Sequence, residues 1–206
     1  MTYKHNIMYH DIIESLAATI DAKDFYTAGH STRVADTSYI LGYFLGLRDF
    51  DLELLHMAAH LHDIGKIGVP DYVLQKKEKL LENEWMLMKE HPQIGYNILS
   101  KADSLKYISK IILYHHEKFD GTGYPHNLKG NEIPFYSRII AVCDSIDAML
   151  SNRPYRNALS FDSCKEEIIK NINIMYDPEI VRCLIKNWDE VVVKYYNNHS
   201  SILNNH

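Results

Sequence analysis

The chain has few cysteines, and their spacing suits neither a disulfide framework nor a sulfur metal site. Only Cys143, Cys164 and Cys183 occur among 206 residues, none in a CxxC pair, and any disulfide pairing would leave one thiol over. This pattern is not that of a disulfide-stabilised secreted domain or of a thiolate metal cage. We therefore expect plain thiols and a reducing, cytoplasmic setting.

Long apolar runs are also missing. Residues 1–7 lack the basic start and apolar stretch of a signal peptide, and no uncharged apolar run approaches the roughly 18 residues that a membrane span needs. The formal net charge of -5 disfavours binding to nucleic acid polymers, which takes a basic face. We expect a protein outside the membrane that holds any anionic ligand at a local site.

Apolar residues recur at helical spacing along most of the chain, and no segment shows the alternation of a β-strand. The pattern predicts an all-α, single-domain bundle of about eight helices. The third helix is predicted to run through His62 and Asp63. The dipeptide His91-Pro92 is predicted to end a helix over residues 82–90, with a further helix following at about residues 92–100. Several glycines and a proline mark residues 117–132 as a long loop.

The segment His60-Leu-His-Asp-Ile-Gly-Lys66 places a histidine and an aspartate at the end of a helix that is apolar nearly all round. A buried carboxylate is costly unless a cation neutralises it. An isolated His62-Asp63 pair is more often a hydrogen-bonded contact between helices than a metal site. Adjacent helical side chains, about 100° apart, can also flank one point as metal ligands do.

Further imidazoles and one further carboxylate lie at predicted helix ends or inside an apolar helix. Any one of these five groups fits a structural role. Together with His62 and Asp63 they make seven, and seven such groups predict a metal centre. If Asp63 bridges, they supply four bonds to each of two divalent ions, which would lower the pKa of a shared water for attack on phosphorus. The thiolate-free donor set suits Fe, Mn, Ni or Zn, and the ligand types alone do not choose among them. We take Fe as the first expectation. The additional candidates are His30, His91, His115, His116 and Asp144.

Four motifs stand in register along the chain: His62-Asp63-Ile-Gly-Lys66, His115-His116-Glu117-Lys-Phe-Asp120-Gly121-Thr-Gly123-Tyr124-Pro125, Arg138-Ile-Ile-Ala-Val-Cys-Asp144 and Arg153-Pro-Tyr-Arg156. Through them the chain resembles the HD-GYP subgroup of HD-domain phosphohydrolases over residues 24–185. This resemblance implies an HD-type helical domain at residues 1–190 and a C-terminal tail at residues 191–206. It also implies hydrolysis of the bacterial second messenger cyclic di-GMP to pGpG, in some relatives onward to GMP, while other relatives take cyclic GMP-AMP.

The resemblance also assigns roles to individual residues. Asp63 and Lys66 would be catalytic, with Lys66 on the scissile phosphate; the alternative for this lysine is a place on the surface. The loop that contains Tyr124 would border the substrate and can meet a diguanylate cyclase partner. One ion would be held by His30, His62, Asp63 and Asp144, and the other by Asp63, His91, His115 and His116. Further substrate contacts would come from Arg153, Arg156, Tyr124 and Asp147.

One departure from the subgroup bears on the number of metal ions. Many relatives have a glutamate four residues before the histidine equivalent to His30, where it can ligate a third ion, but this chain has Tyr26. A phenol with a pKa of about 10 is a poor ligand at neutral pH. We therefore expect two ions and pGpG as the end product, while Asp24 can still approach a third ion through water.

Two other classes of function remain open at this point. One is a catalytically weak receptor that binds a cyclic dinucleotide and signals through the loop. The other is a di-iron oxygenase, against which Lys66, Arg153 and Arg156 argue because they suit phosphate. The remaining histidines are predicted to lie outside the site, with His56 and His60 packed on the central helix and His10 in a terminal segment.

Overall fold

The computed structural model describes residues 2–24, 29–152 and 157–197, and this part of the chain contains ten α-helices and no β-sheet. The predicted all-α fold is confirmed, and the short α4 is the helix that the sequence pattern does not predict. The helices are α1 (Thr2–Lys23), α2 (His30–Phe44), α3 (Asp49–His60), α4 (Asp71–Leu74), α5 (Glu82–Met88), α6 (His91–Leu99), α7 (Lys106–Leu113), α8 (Phe135–Leu150), α9 (Phe161–Lys170) and α10 (Pro178–Lys186).

The core forms where α2 packs against α3 and α8, with α7 joining α3 to α6. Leu55 and Ala58 of α3 and Ile139 and Ile146 of α8 are completely buried. Burying a leucine or isoleucine side chain contributes about 1.5–3 kcal/mol. The apolar faces therefore fix the helix ends, and these ends carry most of the polar candidates.

The prediction that α3 runs through His62 and Asp63 is wrong. The helix ends at His60, a turn follows, and a 3₁₀-helix spans Ile64–Gly68. Gly65 packs directly on the start of α6, where an added Cβ would lie 1.8 Å from the carbonyl oxygen of His91. Because this contact draws the chain towards α6, His62 and Asp63 lie in a turn rather than on a helical surface.

The predicted break between two helices at His91-Pro92 is confirmed, with the helix ends shifted by one or two residues. The preceding helix, α5, ends at Met88, and His91 is the first residue of α6. Proline is tolerated in the first helical turn, where its missing N–H would have no intrahelical partner. The dipeptide therefore starts α6 and places the His91 ring at its N-terminus.

The C-terminal boundary predicted at residue 190 is too early. Val191, Val192, Tyr195 and Tyr196 are buried and belong to the main core. Residues Asp189–Val193 form a π-helical segment that continues the helical path after α10. The packed domain therefore reaches at least Tyr196. Among the described residues, no helix has the length and apolar character to cross a membrane.

Candidate metal centre

The seven predicted metal ligands converge in the core. Six lie at the first residue of a helix or in the turn after one, where the backbone changes direction and the side chains turn inward; the seventh lies within a helix. The structure brings them together as two adjoining groups. Their positions are His30 at the start of α2, His62 and Asp63 after α3, His91 at the start of α6, His115 and His116 after α7, and Asp144 within α8.

The first group consists of His30, His62 and Asp144. One ligand atom of each lies within 4.8 Å of the others. Nε2 of His30 lies 3.3 Å from Nε2 of His62 and 3.4 Å from Oδ1 of Asp144. Both histidines are buried and Asp144 is half-buried. Two imidazole nitrogens and one carboxylate oxygen therefore face one point.

The second group consists of Asp63, His91, His115 and His116. Nε2 of His91 lies 3.3 Å from Nε2 of His115 and 3.3 Å from Oδ1 of Asp63. The rings of His115 and His116 lie side by side, with their centroids 4.0 Å apart. This group thus gathers three imidazoles around one oxygen of Asp63.

Asp63 has one oxygen in each group. Its Oδ1 faces His91, while its Oδ2 lies 3.4 Å from Nε2 of His62 and 3.6 Å from Nε2 of His30. This is the placement of a carboxylate that bridges two ions. Lys66 adjoins it, with Nζ 2.7 Å from Oδ2 of Asp63 and 3.4 Å from Oδ2 of Asp24.

Hydrogen bonds on the outer side of four imidazole rings fix their orientation. In each ring Nδ1 has a backbone carbonyl or carboxylate acceptor, so it carries the proton and Nε2 is left to bind a metal ion. The acceptors are the carbonyl of Ala59 for His62 at 2.7 Å, the carbonyl of Met88 for His91 at 2.8 Å, the carbonyl of Ile112 for His115 at 2.6 Å, and Oδ2 of Asp147 for His30 at 2.7 Å.

Burial sets the charge of the second group. It lowers the pKa of His91 to about 4, and together with neighbouring histidines it lowers the pKa of His115 and His116 well below the ordinary value. Burial raises the pKa of Asp63. Lys66, followed by His62, outweighs burial and holds the pKa of this carboxyl well below its usual range. Neutral imidazoles and an ionised carboxylate are the forms that bind metal ions.

The first group attracts positive charge. Burial lowers the pKa of His30, but its contacts with Asp147 and Asp63 outweigh burial and raise the pKa to about 10. A cation at this position would compensate the same carboxylates. Five imidazoles and two carboxylates without thiolate are a donor set for Fe, Mn, Ni or Zn. The chemistry of the residues present therefore fits a pair of transition-metal ions.

A cavity of about 620 Å³ opens over the two groups. Lys66 and Tyr124 line it as predicted substrate-binding residues would, together with His30, Asp63, His91, His116 and Asp144. A further part of the lining, which residues 73–88 supply, is not among the residues predicted from the sequence. The basic run Lys76-Lys77-Glu78-Lys79 was the available signal. Wall residues from this segment include Lys76, Lys79, Trp85 and Met88.

The predicted loop at residues 117–132 packs beside the second group. The ring of Tyr124 stacks on that of His116, with centroids 4.9 Å apart. Glu117 is buried and accepts a hydrogen bond from the backbone N–H of His126 at 2.7 Å. Gly123 lies so near the preceding segment that an added Cβ would lie 2.3 Å from the backbone nitrogen of Lys118. The glycine thus lets the loop fold back and bring Tyr124 to the cavity.

Asp147 does not lie where a substrate contact was predicted. The residue is 1% exposed, and its carboxylate is surrounded by protein groups. Oδ2 lies 2.7 Å from Nδ1 of His30, while Oδ1 accepts hydrogen bonds from Arg33 at 2.6 Å and from Tyr196 at 2.9 Å. This placement does not support direct binding of substrate, because Asp147 lies behind a metal ligand.

Three residues named from the sequence lie outside the described residues. These are Tyr26, the residue that argues against a third ion, and Arg153 and Arg156, the two predicted phosphate or guanine ligands. Their roles remain predictions.

Three histidines left out of the predicted site lie close together elsewhere. His56 and His60 are on α3, and His10, which was assigned to a terminal segment, lies in α1 against them. Sequence reasoning paired His56 and His60 by their spacing but had no signal for the approach of α1.

Comparison with known proteins agrees with this architecture. The chain matches the HD domain family over residues 14–180. It is 38% identical over 178 residues to the cyclic di-GMP phosphodiesterase response regulator RpfG of Xanthomonas campestris pv. campestris, covering 85% of this chain and 47% of that protein. It is 40% identical over 175 residues to the 3'3'-cGAMP-specific phosphodiesterase 3 of Vibrio cholerae, covering 85% of this chain and 38% of that protein.

The chain therefore spans less than half the length of these curated relatives. Among solved structures, the HD domain of the L. monocytogenes phosphodiesterase PgpH is similar in fold, with a TM-score of 0.63 at 18% identity. The match covers 90% of this chain and 98% of that domain. The chain belongs to the HD domain family, and its ligand and loop motifs are those of the HD-GYP subgroup.

Proposed function

We propose that this chain hydrolyses a cyclic dinucleotide, with cyclic di-GMP as the first choice and pGpG as the product. The observation that carries the proposal is the position of Asp63, which has one oxygen in each of two histidine groups at the base of a cavity. A centre built in this way suits the cleavage of a phosphodiester.

Two divalent ions, with Fe as the first choice, would be held by the seven residues of the centre. His30, His62 and Asp144 would hold one, His91, His115 and His116 the other, and Asp63 both. When bound, such ions supply Lewis acidity towards phosphoryl oxygens and lower the pKa of water. The outer hydrogen bonds prepare the histidines for this task, because they hold each Nε2 towards the centre without rearrangement.

Lys66 is the group we assign to the scissile phosphate. Its ammonium is held between Asp63 and Asp24 and lines the cavity. Burial lowers the pKa of Lys66, but Asp63 and Asp24 outweigh burial and raise the pKa above its ordinary value. Lys66 therefore stays protonated. A fixed ammonium beside the centre can donate to a non-bridging phosphoryl oxygen as negative charge develops.

The walls of the cavity fit the rest of a cyclic dinucleotide. Tyr124 and Trp85, which is 46% exposed, both line the cavity. Aromatic faces of this kind stack on nucleobases. Lys79 adds positive charge to the lining, which suits the second phosphate, while Lys76 of the same segment is ion-paired with Glu84. We also assign Arg153 and Arg156 to phosphate or guanine binding.

The names of two relatives support the substrate class. One is named a cyclic di-GMP phosphodiesterase and the other a 3'3'-cGAMP-specific phosphodiesterase. Both substrates are cyclic dinucleotides with two phosphodiester bonds. A substrate of this class would place the chain in the bacterial cytoplasm, and we propose the loop at residues 117–132 as the surface for a diguanylate cyclase partner.

The direct test is hydrolysis by purified chain that has been prepared anaerobically and loaded with Fe, Mn or Ni. We expect cyclic di-GMP to be converted to pGpG, and we expect chelation to stop the reaction. Cyclic GMP-AMP should be assayed in parallel to decide between the two substrates. Binding of either nucleotide without turnover under every metal would contradict the proposed activity and indicate a receptor.

A further inference from the structure

A second group of histidines lies between α1 and α3, outside the seven-residue centre. One nitrogen each from His10, His56 and His60 lies within 4.8 Å of the others. The ring centroids of His56 and His60 are 4.6 Å apart, and those of His10 and His56 are 5.2 Å apart. The two α3 residues are one helical turn apart and therefore share a face.

His60 is the residue that packing leaves unexplained. It is 2% exposed, and neither of its ring nitrogens has a hydrogen-bond partner among the described residues. A neutral imidazole has one donor and one acceptor, and burying either without a partner costs free energy. A water or an ion can satisfy a buried polar group of this kind.

His56 is oriented as a metal ligand would be. Its Nε2 lies 3.0 Å from Oδ1 of Asp36, and Oδ2 of Asp36 accepts a hydrogen bond from Tyr195 at 2.9 Å. Nε2 therefore carries the proton, and the Nδ1 lone pair faces Nε2 of His10 at 3.2 Å. A carboxylate behind a histidine is the usual outer support of a metal-bound ring.

Glu14 supplies a carboxylate on the open side of this group. Its Oε1 lies 3.5 Å from Nδ1 of His10 and 4.0 Å from Nε2 of His60. The side chain is 47% exposed and is therefore free to rotate towards the histidines. Zinc binds imidazole nitrogen at about 2.0–2.1 Å and carboxylate oxygen at about 2.0–2.2 Å in a tetrahedral arrangement. The three histidines already offer nitrogens within 4.8 Å of one another. Glu14 contacts the opposite nitrogen of the His10 ring, so its side chain must rotate to join them.

We propose that His10, His56 and His60, with Glu14 as the fourth ligand, bind one Zn²⁺ or similar transition-metal ion that fastens α1 to α3. The three imidazoles and one carboxylate give the four ligands of a closed zinc site, all of types that Zn²⁺ binds. The ion would take the lone pair of one ring nitrogen of His60, which has no hydrogen-bond partner among the described residues. This site is independent of the proposed hydrolysis, because none of its ligands belongs to the seven-residue centre.

Metal stoichiometry tests the site. The full chain and the variants His10→Gln and His56→Gln would be equilibrated with Zn²⁺, dialysed and analysed by mass spectrometry for ions per chain. We expect each variant to hold one ion fewer than the unmodified chain and to lose the extra thermal stability that Zn²⁺ confers. His126→Gln, a histidine outside both groups, is the matched control and should keep the full count.

Circular dichroism of each variant would show that the helices are intact. The side chain of His10 is 33% exposed and that of His56 is 12% exposed, so His10→Gln is the milder change. A titration of the unmodified chain with Co²⁺ gives a second readout that needs no variant, because a tetrahedral site with three nitrogens adds an intense visible absorption. Equal ion counts in the unmodified chain and both variants, or a Co²⁺ titration without that absorption, would overturn the proposal.

Discussion

Oδ2 of Asp147 lies 2.7 Å from Nδ1 of His30, so a buried carboxylate supports a metal ligand from behind. The same carboxylate is bonded to Arg33 and Tyr196. Burial raises the pKa of Asp147, but His30 and Arg33 outweigh burial and hold it far below the ordinary value. Asp147 is thus a positioning residue that acts through His30.

Replacing Asp147 by Asn should weaken metal binding without emptying the whole centre. The ring of His30 would lose its charged partner, and loss of such support lowers metal affinity by about 10–100-fold. Competition with a chelator would measure the affinity of the centre for the ion that it binds less tightly. Asp51→Asn, which removes the carboxylate bonded to Tyr136 at 2.8 Å, serves as the control. Equal affinities in the two variants would contradict the role of Asp147.

Replacing Lys66 by Met should reduce turnover while the metal ions stay bound. The variant keeps the length of the side chain but cannot donate to a phosphoryl oxygen, and loss of one such donor lowers kcat by about 100-fold or more. Steady-state hydrolysis and metal analysis of the same sample would separate the two effects. Lys77→Met changes an exposed lysine of the neighbouring segment and should leave turnover unchanged. An active Lys66→Met enzyme would remove Lys66 from the mechanism.

Replacing Gly65 by Ala should destabilise the fold around the metal centre. The added Cβ would lie 1.8 Å from the carbonyl oxygen of His91 and 2.5 Å from the nitrogen of Gly95, so α6 must shift. We expect a loss at or above the upper end of the about 1–3 kcal/mol that overpacking costs, measured by denaturant unfolding. In Gly68→Ala the new methyl meets only the Ile94 side chain, at 3.0 Å. This control should lose less stability.

The C-terminal segment should contribute to the metal centre through Tyr196. Tyr196→Phe removes the hydroxyl that donates to Oδ1 of Asp147, and a hydrogen bond to a charged group contributes about 1.5–3 kcal/mol. We expect lower stability and weaker binding of the ion nearest His30. Tyr195→Phe removes a comparable bond to Asp36 and should leave that ion unaffected. A chelator assay that finds no difference between the two variants would contradict this link.

The sequence was sufficient to predict the fold class and the residues that come together in the metal centre. Periodicity predicts helices because each helix buries one face, and imidazoles and carboxylates beside those faces are costly to bury without a cation. The prediction that α3 continues through His62 failed because a tertiary contact decided it. Gly65 packs against α6, and α3 ends at His60.

Other features had no local signal at all. The role of Asp147 depends on α8 lying behind His30, and the burial of Tyr196 depends on where the last helical segment packs. The approach of His10 to α3 likewise follows from the packing of α1. These relationships join residues far apart in the chain, so their spacing in the sequence gives no indication of contact.

The bridging position of Asp63 is the feature on which the catalytic proposal depends most. Asp63→Asn keeps the size of the side chain but removes the charge shared by the two ligand groups. The most direct measurement is therefore metal content and cyclic di-GMP hydrolysis of this variant beside the unmodified chain, both loaded anaerobically with iron. We expect the unmodified chain to hold two ions in the centre and form pGpG, and the variant to lose tight binding of both ions together with turnover. A variant that keeps both ions and full activity would contradict the bridged centre.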